Sequence, residues 1–221
     1  MDKHVAMEHP LPHATAERRY ALTLLALFWL CWLPLAIAPW YRQDWLLENA
    51  LVFIGLPLVI AGWRRYRFSR GAITALFLFA LLHIVGAHYT YAQVPYNDGF
   101  RALFGSGPND WLGLHRNHFD RLVHMLFGLL FMPLLTELFA QKPGLNRRWQ
   151  ALFAVCVVLA ISALYEILEW WAAVQFGGSL GQAYLGTQGD VWDAQKDMAM
   201  AGLGALLGAP WVMRRNLDTG Q

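Results

Sequence analysis

FDRLVHMLFGLLFMPLLTELFAQKPGLNRR, residues 119–148, holds one complete membrane crossing together with its orientation. From Phe119 to Ala140 the chain is almost wholly apolar, and at ~1.5 Å per residue it is long enough for a ~30 Å hydrocarbon layer. Asp120, Arg121 and His124 open the run, and Lys142, Arg147 and Arg148 follow it. Basic loops stay on the cytoplasmic side, so this helix is expected to enter the cytoplasm at Ala140 and to hold Asp120 and His124 on the outer side.

Five other stretches are comparably apolar: Tyr20–Trp40, Trp45–Trp63, Ala72–Ala92, Trp149–Val174 and Asp193–Met213. Lys and Arg alternate in register with them. The segments before the first span, between the second and third, between the fourth and fifth and after the sixth hold twelve of the seventeen, including Arg64, Arg65, Arg67, Arg70, Arg214 and Arg215. The other loops hold only Arg42, Arg101 and Arg116, with Arg121 and Lys196 just inside helix ends on that side. The expected fold is therefore all-α: a polytopic bundle of about six transmembrane helices with both termini in the cytoplasm of a bacterial inner membrane. Residues 1–17 read as a flexible tail, 18–215 as a single transmembrane domain and 216–221 as a second tail.

Composition agrees. The chain of 221 residues is 57% hydrophobic and 14% charged, too little charge for the surface of a soluble domain. Its net charge of +2 is clustered in loops, and no basic stripe with interleaved aromatics points to nucleic acid. Ala36-Ile37-Ala38 imitates a signal-peptide cleavage site, but the apolar run before it is long and Pro39 would follow the scissile bond, so the helix reads as retained. Cys31 and Cys156 fall within apolar runs and read as small buried hydrophobes. The loops 93–118 and 176–189, rich in Gly and Pro, read as lids over the external helix ends.

Ionisable residues within spans cost several kcal/mol and mark functional sites by default. Here they share one side of the membrane. His88 lies near the external end of the third span; Asp120 and His124, one turn apart, begin the fourth; Glu166 and Glu169 lie toward the external end of the fifth; Asp190, Asp193 and Asp197 lead into the sixth at i, i+3, i+7. Gly204 and Gly208 continue that last stripe and permit close helix approach. So many carboxylates in low dielectric need an offsetting charge: a cation, protons, or Arg121 and Lys196. A divalent ion would supply it. His88, Asp120, His124, Asp190 and Asp193 are the candidate ligands, for Zn²⁺, Mn²⁺ or Fe²⁺ with imidazole in the set, or Mg²⁺ with oxygen alone. Glu166, Glu169 and Asp197 are the candidate catalytic carboxylates, one of them serving as general base toward a metal-bound water. Blander roles stand beside these. Asp120 would also complement a helix dipole, Asp190 or Asp193 would also serve as an N-cap, and the whole cluster would also work as a metal-free ionic network. His83, off the His88 face, reads as a hydrogen-bonded interior histidine, Glu137 as a solvated cytoplasmic residue, and Asp44 with Glu48 as peripheral members of the cluster.

Asp120-Arg121-x-x-His124 with Gly128, Tyr165-Glu166-x-x-Glu169, and Gly189-Asp190-x-Trp192-Asp193-Ala194-Gln195-x-Asp197-Met198 together resemble the YjdF-like bacterial inner-membrane proteins, a family without an established function, over about Leu51–Met213. More distantly the order resembles VanZ-like proteins, which are linked to glycopeptide-antibiotic resistance and the cell envelope. Arg121 stands where those carry Lys, and Asp197 where they often carry Asn. The expected activity is that of a metal-dependent hydrolase or transferase acting on a lipid or lipid-linked envelope substrate, with membrane lipids as partners. The alternatives are a proton- or cation-coupled transporter and a non-catalytic protein whose ionic network is structural.

Overall fold

The computed structural model describes residues 12–66 and 68–214, and all regular structure among them is helical. In chain order the helices are α1 (Pro12–Leu35), α2 (Arg42–Glu48), α3 (Ala50–Arg65), α4 (Arg70–Tyr89), α5 (Tyr96–Phe104), α6 (Pro108–Leu112), α7 (Phe119–Ala140), α8 (Arg147–Phe176), α9 (Gly178–Leu185) and α10 (Asp193–Arg214). Among the described residues, four segments are long and apolar enough to cross a membrane: Arg42–Trp63, which joins α2 to α3, then Arg70–Tyr89, Phe119–Ala140 and Arg147–Phe176. The first and sixth expected spans form unbroken helices of 24 and 22 residues. Arg18 and Arg19 in α1, and Asp193, Lys196 and Asp197 in α10, dilute their apolar character. Helix α1 begins inside the segment read as a tail; the rest of that tail and residues 216–221 lie outside the described residues.

Helix ends follow local chemistry. Asn146 caps α8 by accepting from the Arg148 and Trp149 N–H groups, and α8 stops at Gly177 with φ 61°. Ser69 caps α4, accepting from the Ala72 N–H, and itself donates its N–H (2.8 Å) and hydroxyl (2.5 Å) to Glu137. Glu137 is thus buried and ties the C-terminal end of α7 to the start of α4, where solvation was expected. The side chain had a buried backbone terminus to satisfy.

Helix α7 is the centre, packed most extensively against α10 and then against α4 and α8, while α1 lies on the far side of α4. The α7–α10 seam is built from glycines. A Cβ on Gly128 would overlap the Ala201 carbonyl, and one on Gly204 would overlap the Met125 carbonyl. Phe127, Met132, Val158, Ala201 and Ala205 fill the core around the seam. Outside it the polarity is inverted: Leu30 and Leu58 are each 67% exposed, amid many other outward apolar side chains, a face stable only against hydrocarbon. Cys31 and Cys156, expected to be buried, are free thiols on this outward face. Apolar runs do not distinguish a lipid face from a core. The expected lids contain short helices, α5 and α6 in one and α9 in the other.

Candidate functional site

The N-terminal end of α7 places Asp120 and His124 on one face, with His124 Nε2 3.6 Å from Asp120 Oδ1. Helix α8 brings Glu166 against the same ring nitrogen, its Oε1 at 3.5 Å. Helix α10 contributes Asp197, whose carboxylate together with Asp120 and His124 offers three ligand atoms within 4.8 Å of one another. The glycine seam brings these side chains together, because it lets the α7 and α10 backbones touch. Glu166 Oε1 and Asp197 Oδ1 are buried with no hydrogen-bond partner. Ligands ~2.0–2.2 Å from a tetrahedral zinc sit roughly 3.5 Å apart, so small side-chain rotations would close the set on an ion.

Above this pocket lies an ion-paired rim. Asp190, in the turn before α10, accepts from Lys196 Nζ (2.6 Å), Arg121 NH2 (2.5 Å) and the Trp192 N–H (3.1 Å), with Arg116 NH1 at 3.4 Å. The Lys196 ammonium, the Trp192 amide and the Arg121 guanidinium hold the Asp190 carboxyl below the usual carboxylate range. Asp193 Oδ1 faces Arg116 NH1 (2.8 Å) and Arg121 NH2 (3.1 Å), leaving Oδ2 buried and unpartnered. Arg121 Nε reaches only 3.9 Å from Asp197, so the rim cations barely serve the pocket beneath. Arg116 NH2 is also buried without a partner.

Three of the expected ligands, His88, Asp190 and Asp193, thus have other partners, and Asp197, expected as a catalytic carboxylate, stands with Asp120 and His124 instead. His88 stands apart, donating through Nδ1 to the Leu35 carbonyl (2.8 Å) with its ring edge-on to Tyr89. It anchors the end of α1. Asp190 spends both oxygens on donors and acts as counter-ion for the rim. Asp193 bridges rim and pocket. Glu169 is buried, within the electrostatic reach of Asp120, Glu166 and Glu48.

A polar arm extends toward α2. Tyr165 donates to Glu48 (2.8 Å), and its ring lies 6.2 Å from that of His124. His83 donates from Nε2 to the Glu48 carbonyl (3.1 Å), which fixes the tautomer and leaves Nδ1 to accept from Tyr91; this is the expected interior histidine. Asp44 is 1% exposed with neither oxygen hydrogen-bonded. Burial and Glu48 push the Tyr91 phenol up, and burial does the same to Tyr184 in α9, so both remain neutral donors. Sequence reading missed Arg116, Tyr165 and Tyr91. Two of these sit in loops, where no periodicity assigns a facing direction.

A family model described as "Predicted membrane protein (DUF2238)" matches residues 20–217. The inner membrane protein YjdF of Escherichia coli (strain K12) is 43% identical over 166 residues, 75% of each chain. No solved structure matches. The VanZ likeness stays one of sequence pattern. With its apolar helices, the chain is a multi-pass inner-membrane protein.

Proposed function

Because the chain belongs to the DUF2238 family of membrane proteins, we propose that its external pocket is a divalent-cation site serving hydrolysis or group transfer on a lipid or lipid-linked envelope substrate. The observation that carries this is the convergence of Asp120, His124 and Asp197 within 4.8 Å, with Glu166 against His124 and two buried carboxylate oxygens that make no hydrogen bond. Unpartnered buried oxygens are costly; a cation would satisfy Asp197 Oδ1 directly, and a water held by it would satisfy Glu166 Oε1. Zn²⁺, Mn²⁺ or Fe²⁺ suits a set of one imidazole and two carboxylates, with Mg²⁺ less matched to it. Such an ion, when bound, would acidify a water. Glu166 is placed to take a proton at Oε1, Asp193 to tie pocket to rim, and Glu169 to hold charge behind Glu166. Arg116 and Arg121 offer donors to an anionic head group.

The topology proposed with it is six spans, N-in and C-in. It rests on the basic loops and on α1 and α10 having spanning length. A reporter active only in the cytoplasm, fused at either terminus, should work at both; activity at one end alone contradicts the arrangement. The wall below Asp120 and His124 is apolar toward Arg18 among the described residues, which weighs against a proton or cation path through the bundle.

Metal analysis of full-length protein in lipid nanodiscs is the test. Wild type should carry close to one equivalent of Zn²⁺ or Mn²⁺. His124→Ala and Asp197→Asn should lose at least ten-fold in affinity, and Glu166→Gln should keep the ion. A wild type that neither carries a metal nor is stabilised by adding one would overturn the proposal.

A further inference from the structure

Two cavities approach the carboxylate–imidazole cluster from opposite sides of Asp120. One, of about 850 Å³, runs between α1, α3, α4, α7 and α8. Leu25, Leu56, Val59, Phe77 and Phe131 are typical of its walls, and its polar lining is confined to its ends: Arg18 at the cytoplasmic end, and Asp120, His124 and Tyr165 with their neighbours at the other. The second, about 290 Å³, opens on the external side between the loop after α4 and the loop before α10, lined by Thr90, Gln93, Gln182, Thr187 and Gln188 among others. Asp120 belongs to the wall of the first. Gly186, in the wall of the second, would place a Cβ 3.9 Å from Asp120 Oδ2. Asp120 therefore stands at the junction of an apolar chamber and a polar vestibule.

The chamber has a structural origin. Helix α3 joins the bundle mainly at its N-terminal end, where Val52 packs on Phe28 and Ile84 and where Asn49 accepts from the Trp32 indole at 2.6 Å. Beyond that end it stands away from α4, α7 and α8. In a bilayer such a gap is filled by hydrocarbon. Its wall follows α7 from Asp120 to Leu134, roughly 21 Å at ~1.5 Å per residue. A single leaflet of a ~30 Å core is only about 15 Å deep, so the chamber takes a tail at least as long as a leaflet. At the junction the rim sets three cations, Arg116, Arg121 and Lys196, against Asp190 and Asp193. Arg116 Nη2 makes no hydrogen bond there, and Arg121 Nε has only the 3.9 Å approach to Asp197. Spare buried guanidinium donors suit an anion.

We infer that the occupant is one amphiphile, a membrane lipid with an anionic, phosphate-type head: its tail fills the chamber, its head linkage lies at Asp120 and His124, and its polar head enters the external vestibule. This deepens the function proposed above by naming the substrate class, and it rests on that reading for the chemistry at the junction.

Full-length protein in nanodiscs containing phosphatidylglycerol with a diazirine at the tail end tests it. Photolabel mapped by mass spectrometry should concentrate on chamber residues such as Leu56 and Phe77. Gly55 lines the chamber, and a Cβ there meets nothing within 4 Å, so Gly55→Phe fills the space. It should cut chamber labelling at least five-fold while metal content is unchanged. An equivalent phosphatidylcholine probe should label the chamber several-fold less than the phosphatidylglycerol probe, and Arg116→Gln should erase that difference. Wild-type label confined to outward residues such as Leu30 and Leu58 overturns the inference, whatever the variants do. Equal labelling by both probes overturns the anionic head. Chamber labelling by a protein that binds no metal would leave this inference standing and sink the metal site; metal binding without chamber labelling would do the reverse.

Discussion

Asp190 shows how much one side chain decides. It gathers Arg116, Arg121 and Lys196 around a single carboxylate, and thereby keeps two arginines over the pocket without neutralising Asp197. Its folded-state pKa lies below the ordinary carboxylate value, so its stabilising effect is complete above an unfolded value of ~3.9 and disappears as pH falls through the lower folded one. The melting temperature of Asp190→Asn in detergent should therefore lie below wild type by a constant margin from pH 5 to 8, with the gap narrowing under pH 4. A gap that instead changed between pH 6 and 8 would show that another group governs the rim. At this scale the shared face of Asp120 and His124 was legible from helical spacing, and the depth of Glu166 and Asp197 along their own helices placed them at the same level. His88 was not. Its depth along α4 matched the cluster, but no spacing within one helix says which neighbour its face meets, and the neighbour is α1. Arg116 escaped for the opposite reason, since a loop has no periodicity to read.

Among the elements, the α7–α10 seam determines whether a site exists at all. Backbone meets backbone at Gly128 and Gly204, with no compressible side chain between to yield. Gly204→Ala should cost about 1–3 kcal/mol through overpacking and should loosen metal binding too, because Asp197 rides on the same helix. Gly62→Ala, where a Cβ meets nothing within 4 Å, should leave stability unchanged or slightly raised. Equal effects of the two in a thermal unfolding assay would contradict the seam. The Gly204 and Gly208 stripe was visible in sequence, and so were helices α4, α7, α8 and α10 to within three residues at each end. The second span was legible too, since Arg42–Trp63 forms one crossing through Asn49, whose backbone stays helical; what was hidden is the Trp32 indole of α1 donating to Asn49. Contacts between separate helices leave no periodic trace.

The molecule as a whole separates two environments. Below lies an apolar chamber flanked by α3, above lies a polar vestibule under α9, and the ionisable residues of α7, α8 and α10 stand between them. The gathering of those residues at one end of the bundle was readable from their positions along the spans; the chamber was not, because an apolar wall and a lipid-facing surface have the same composition. The central claim concerns what sits among Asp120, His124 and Asp197. Crystals of the full chain grown with Mn²⁺ and measured on either side of the manganese absorption edge address it most directly. One anomalous peak about 2.0–2.3 Å from the three ligand atoms is expected, absent in His124→Ala. Wild-type crystals whose anomalous map is flat there, with the three side chains ordered and hydrogen-bonded only to water, would contradict it.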